Sequence, residues 1–204
     1  TAEQIHQLAE AIRPHLRALV LLAAFGALRR GELFGLERRD LDLGAGQLSV
    51  QRQAIYLKDG TRKVTPPKSA AGVRTVSLPP FVVEALEEHL ATWTAAQPNS
   101  PVFVGERGGP LGTVSLQTCF DEARRATGLT QFTLHDLRHA GGTMAAWTGA
   151  TTKELMARLG HATHDAALRY QHAAQARDAE IAAKLDVFRP QVAANPRPSV
   201  GRST

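Results

Sequence analysis

The chain has 204 residues and a mass of 22.0 kDa, enough for one well-filled core with a small appended sheet. Hydrophobic residues make up 43% and charged residues 21%, as in ordinary globular domains, and the longest apolar run, Ala18 to Phe25, is too short to span a bilayer. A formal net charge of +5 and a pI near 9.9 favour an anionic partner, and Cys119, the single cysteine, excludes an internal disulfide. No basic-then-apolar leader opens the chain, so a cytoplasmic protein without a membrane partner is expected.

Thr1 to Gln4 has capping-box spacing, and Ile5, Leu8, Ala9 and Ile12 follow at helical period. Pro14 opens a second helix with an apolar face through Leu16, Leu19, Val20, Leu22 and Ala23, and a third short helix is predicted from Arg30 to Glu37. Between Leu48 and Leu78 the pattern changes to strands. Leu48–Val50, Arg62–Thr65 and Arg74–Leu78 are short alternating runs, separated by the turn signals Lys58–Gly60 and Ser69–Gly72. They predict one three-stranded antiparallel sheet, with Lys68 near the tip of its second hairpin.

Pro79-Pro80 starts a helix that runs to Trp93, and Val114–Thr127 reads as another. Thr133 caps a helix carrying His135, Arg138 and Met144, which Gly149 breaks. Thr151 or Thr152 starts the next helix, and Gly160 ends it as a left-handed glycine. A short helix over Asp165–His172 and a last one over Ala173–Leu185 complete the domain, residues 1–186. From Val187 there are three prolines, three arginines and no acid, so 187–204 reads as a flexible basic tail. The fold class is mainly α with a small three-stranded antiparallel β-sheet.

Six residues stand out as a chemical set: Arg29, Lys68, His135, Arg138, His161 and Tyr170. Attack on a phosphodiester without a metal needs cations on the charged oxygens, groups that move protons, and a nucleophile. Arginines, Lys and His, and Tyr supply these in turn. Each piece alone has a plainer explanation. His135 and Arg138 share a helix face as a surface pair would, and Arg29 with Glu32 one turn later could be an ordinary ion pair. Lys68 could be a solvated turn lysine, His161 a helix-end histidine meeting the carbonyl dipole, and Tyr170 a half-buried aromatic. His135 and His139 also have a spacing that zinc could use, but no third ligand is obvious and the Glu of His-Glu-x-x-His is absent. A metal-dependent phosphohydrolase built on His135-Asp136 would leave Arg29, Lys68 and Tyr170 unused.

The order and spacing of the six resemble the catalytic domain of the tyrosine recombinases, the phage integrase family, from Thr1 to about Ile181. Most specific are His-x-x-Arg at His135–Arg138 and Leu-Gly-His at Leu159–His161, followed nine residues after the histidine by Tyr170. The resemblance implies the DNA breaking-rejoining fold and cleavage of double-stranded DNA through a 3′-phosphotyrosyl intermediate. It makes Tyr170 the nucleophile, Arg29 and Arg138 the phosphate clamps, and Lys68 the acid on the leaving 5′ oxygen. His135 and His161 assist, Glu32 orients Arg29 or the hairpin, and neither a metal nor a cofactor has a role. It also implies a homotetramer on DNA and an N-terminal core-binding domain that this chain lacks. A type IB topoisomerase-like strand transferase and a catalytically silent DNA-binding module are the alternatives. Two features depart from the pattern or cost stability. The family has Thr-Gly-Leu-Arg or Thr-Gly-Met-Arg where this chain has Gly26-Ala27-Leu28-Arg29, which predicts a shifted turn before Arg29. Gly141-Gly142 inside a helix predicts close packing by another helix or local softness.

Overall fold

A computed structural model describes residues 1–57 and 59–160; the helices expected over 165–172 and 173–185, and the tail from 187, lie outside them. The first helix, α1 (Ala2–Ala11), starts on the expected box. The Thr1 hydroxyl accepts from the Gln4 amide at 3.3 Å, and the Gln4 side chain accepts from the Thr1 amine at 2.7 Å. One 3₁₀ turn at Pro14–Leu16 leads into α2 (Arg17–Phe25). Every residue of α2 from Ala18 to Ala24 is buried, so α2 is the central rod of the core rather than an amphipathic surface helix.

The remaining helices arrange around it. They are α3 (Arg30–Gly35), α4 (Pro80–Thr92), α5 (Thr113–Ala126), α6 (Leu134–Trp147) and α7 (Thr152–Leu159), the last ended by Gly160 at φ +62°. Helices α1, α4 and α6 pack directly on α2. The approach of α6 is close: a Cβ at Gly141 would land on the Ala24 carbonyl, which explains a glycine inside a helix. Among the described residues no helix is long and apolar enough to cross a membrane.

The strands correct one expectation. A three-stranded antiparallel sheet is present, but it consists of β1 (Leu41–Asp42), β2 (Gln47–Val50) and β5 (Arg74–Ser77) in that order. Arg62–Thr65, expected as its middle strand, is β4 and pairs instead with β3 (Gln53–Tyr56) in a separate two-stranded sheet. Val50 pairs with Arg74, so residues 51–73 leave the first sheet at one point and return at the point opposite. Lys68 therefore lies on the connection between two sheets, not at the tip of a hairpin within one. The β3–β4 hairpin docks on α3, where Gly31 and Gly35 leave room for the backbone of Gln53 and Ala54.

Candidate active site

Arg29 occupies the N-cap of α3, directly after the turn that ends α2. Within that turn Ala27 has φ +52°, the left-handed region that costs an L-residue about 1–2 kcal/mol. Gly26 has φ −85°, and a Cβ there would sit 2.7 Å from the Leu22 carbonyl oxygen. The glycine thus answers a shortage of space, while alanine takes the left-handed conformation one residue later. The Ala27 methyl is buried against a small cluster with Ala146, Leu155 and Leu159.

The Arg29 guanidinium is aimed by two contacts. Nη1 donates to Glu32 Oε1 at 2.8 Å, and Nη2 donates to the Gly160 carbonyl at 2.9 Å. Its side chain remains 38% exposed, whereas that of Glu32 is only 2% exposed. Glu32 is therefore no surface partner; it also accepts the Arg29 amide at 2.8 Å and both arms of Arg74 at 3.0 Å each. Burial by itself would push the Glu32 carboxyl up. The hydrogen bonds and charge of Arg74, then those of Arg29, overcome this and hold it below its ordinary value.

Arg138 is buried on α6, where its guanidinium donates to the Ala27 carbonyl and, at 2.5 Å, to the Leu159 carbonyl. Arg74 donates through Nε to the Arg158 carbonyl at 2.8 Å. Three arginines from α3, α6 and β5 thus each take one of three successive carbonyls, those of residues 158, 159 and 160. The end of an α-helix presents unpaired carbonyls and partial negative charge, so cations gather there for a physical reason. Arg158 completes the seam by donating to the Phe25 and Ser77 carbonyls at 2.6 and 3.1 Å. Burial first, and then the charge of Arg74, lower its pKa from the usual arginine value.

Of the residues expected in the site, Arg29, Arg138 and Glu32 are brought together around the end of α7. His161 and Tyr170 lie outside the described residues. His135 is exposed in the first turn of α6, its ring edge-on to His139 with centroids 4.4 Å apart. The Thr133–Asp136 capping box anchors that turn. Lys68 is exposed on the connection after β4, and none of the hydrogen bonds or ion pairs among the described residues ties it to the arginines. Among the described residues no three His, Cys, Asp or Glu side chains converge in a metal-holding group. Arg74 and Arg158 were not singled out from the sequence. Arg74 did carry a signal: it is in phase with Val76 and Leu78 along a strand, so alternation places it on the core side, where an arginine needs a carboxylate.

The model of the phage integrase family matches residues 1–177. The chain belongs to the phage integrase family. It is 44% identical over 187 residues to a Mycobacterium tuberculosis protein described as a prophage phiRv2 integrase, a match covering 91% of this chain and 50% of that one. It is 35% identical over 189 residues to the integrase of Mycobacterium phage D29, with the same coverage on both sides. The chain spans about half the length of these curated relatives. Its fold is that of the Tn1549 transposon integrase, solved in complex with transposon right end DNA. The TM-score is 0.76 at 22% identity, covering 92% of this chain and 65% of the other.

Proposed function

We propose that this chain is the catalytic part of a site-specific DNA recombinase of the integrase type, cleaving and rejoining double-stranded DNA through a 3′-phosphotyrosyl intermediate. The observation that carries the reading is the convergence of Arg29 and Arg138, from different helices, on adjacent carbonyls at the end of α7, immediately before His161. The Arg29 side chain is 38% exposed, and its Nη2, held by the Gly160 carbonyl, bears a second hydrogen of the kind that a phosphate oxygen accepts.

In the reaction, the Tyr170 hydroxyl oxygen attacks the scissile phosphorus and loses its proton with help from His135. The bond from phosphorus to the 5′ oxygen breaks, and Lys68 supplies the proton that makes the leaving group a 5′-hydroxyl. Arg29 and Arg138 counter the negative charge that builds on the non-bridging oxygens, and His161 hydrogen-bonds the same phosphoryl group. Glu32 orients Arg29 and does not touch DNA. The phosphotyrosyl bond keeps the energy of the broken linkage, so religation to another 5′-hydroxyl needs no nucleotide, and no metal or cofactor takes part. The partners are duplex DNA and, for the whole protein, three further copies on that DNA together with an N-terminal core-binding domain. The setting is the cytoplasm.

The test is a nicked suicide duplex carrying the attachment site, incubated with the intact native protein in excess chelator. A covalent adduct mapping to Tyr170, and lost in Tyr170→Phe, is expected. An adduct that persists in the Phe variant, or cleavage that needs an added divalent ion, overturns the mechanism.

A further inference from the structure

We propose that Arg74 is a positioning residue for this site: it fixes the aim of Arg29 through Glu32 and simultaneously ties Glu32 to the end of α7. The proposal rests on the strand-transfer reading above.

The hydrogen bonds form a closed circuit. Arg29 holds Glu32 at 2.8 Å, and Glu32 holds both arms of Arg74 at 3.0 Å. Arg74 Nε holds the Arg158 carbonyl at 2.8 Å. Two residues further along the chain, the Gly160 carbonyl returns to Arg29 at 2.9 Å. The ring joins α3, β5 and α7, and it closes only through the planar fork of Arg74. A lysine at this position has a single charged nitrogen and cannot serve both carboxylate oxygens and the Arg158 carbonyl in the same geometry. Nor can Glu32 stand alone. Its buried carboxylate needs both guanidinium groups, and without Arg74 it would pull Arg29 inward as its only partner.

The charge balance suits an aiming device. One carboxylate shared by two guanidinium groups leaves one positive charge over. Arg74 is buried at 6% side-chain exposure, so the surplus is presented by Arg29 at 38%. Gly160 completes the fit: a Cβ there would come within 3.0 Å of Arg74 Nη1 and 2.9 Å of the Ala71 carbonyl oxygen.

The experiment measures single-turnover cleavage by the intact native protein and its Arg74→Lys variant. Two nicked duplexes are used, one with the ordinary scissile phosphate and one with an uncharged methylphosphonate in its place. On the phosphodiester, Arg74→Lys is expected to cleave roughly 10- to 100-fold more slowly, the scale of loss when a reacting group is misplaced by about an ångström. DNA affinity should change by less than about threefold, because the Arg74 side chain is only 6% exposed and a buried cation adds little to phosphate contacts. On the methylphosphonate, which carries no charge for Arg29 to neutralise, the variant-to-wild-type ratio should return towards one. Glu32→Asp, which keeps the charge but withdraws it by one methylene, should show the same asymmetry and carries the test if Arg74→Lys does not fold. Equal losses on both duplexes would mean a general structural role and overturn the proposal, as would full activity on the phosphodiester. A wild-type protein that forms no adduct on the phosphodiester overturns the strand-transfer reading instead.

Discussion

Glu32 and Arg74 meet as a two-pronged pair, each guanidinium arm 3.0 Å from a carboxylate oxygen and both side chains under 7% exposed. The Glu32 carboxyl titrates below its ordinary value of 4.5 in the fold: burial opposes this, and Arg74 followed by Arg29 wins. A carboxyl with a depressed folded pKa contributes stability that is fully present above its unfolded pKa and is lost as pH falls through the folded one. Denaturation midpoints should therefore fall as the pH drops below about 4.5, the ordinary carboxylate value. Glu32→Gln should be less stable at pH 7 by about 3–5 kcal/mol, because it strands two guanidinium groups, and its acid dependence should be shallower. An unchanged acid slope in the Gln variant would remove Glu32 from this role.

Gly141→Ala reverses the usual helix rule. Alanine is favoured over glycine inside an exposed helix by about 1 kcal/mol, but at Gly141 the added methyl would meet the Ala24 carbonyl of the central helix. Overpacking of this kind costs about 1–3 kcal/mol, so a loss of stability is expected in urea denaturation. Unchanged or higher stability would show that α6 can shift away from α2 freely.

Two buried histidines predict a second pH effect. His15 Nε2 and His89 Nδ1 are buried without a hydrogen-bond partner. Burial first lowers both pKa values from 6.5; the charge of Arg13 adds to this at His15, and the Val102 carbonyl partly opposes it at His89. A histidine with a depressed folded pKa takes up protons more readily when unfolded. Stability is therefore full above about pH 6.5 and declines as pH falls from there towards the folded values. Melting temperatures measured from pH 7.5 to 5 should fall, and His89→Leu should flatten that slope while losing the bond to Val102. A parallel slope in the variant would place the titration elsewhere.

Lys68→Ala should slow cleavage by roughly 10²- to 10⁴-fold, the range for losing a general acid. A duplex with sulfur at the 5′ bridging position has a leaving group that needs no proton and should restore the rate preferentially. Absence of such rescue reassigns the acid to His135 or His161.

Some of this architecture was legible in the residues and some was not, for identifiable reasons. The helix starts at Thr1, Thr133 and Thr151 and the stop at Gly160 were readable because side chain and backbone cap locally. Strand β3 was missed because its burial runs against its hydrophobicity: Ala54 is 1% exposed while Ile55 is 42% exposed. The pairing error at Arg62–Thr65 followed from that omission, since a strand without a visible partner was assigned to the nearest one. In the candidate site, Arg29 and Arg138 were legible from motif spacing. Their meeting point was not, because it is made of main-chain carbonyls, which leave no trace in residue identity.

The Val50–Arg74 pair has a consequence for how such a protein can vary. It closes the base of an excursion running from residue 51 to 73, so the strand ladder is complete without anything beyond it, and the excursion meets the arginine seam at its very base, where the Gly72 carbonyl accepts from Arg74 Nη1 at 3.0 Å. Lys68, the proton donor of the proposed mechanism, rides on this arm, while the arginine floor stays with the core. Changing the length of the arm at Asp59–Gly60, where the glycine has φ +83° and an added Cβ would meet nothing within 4 Å, leaves the floor untouched. Its angle is set at the other end by Gly31 and Gly35, where the arm rests on α3. Reach and grip can thus be tuned by separate mutations, one set at the tip and the other in the helix beneath.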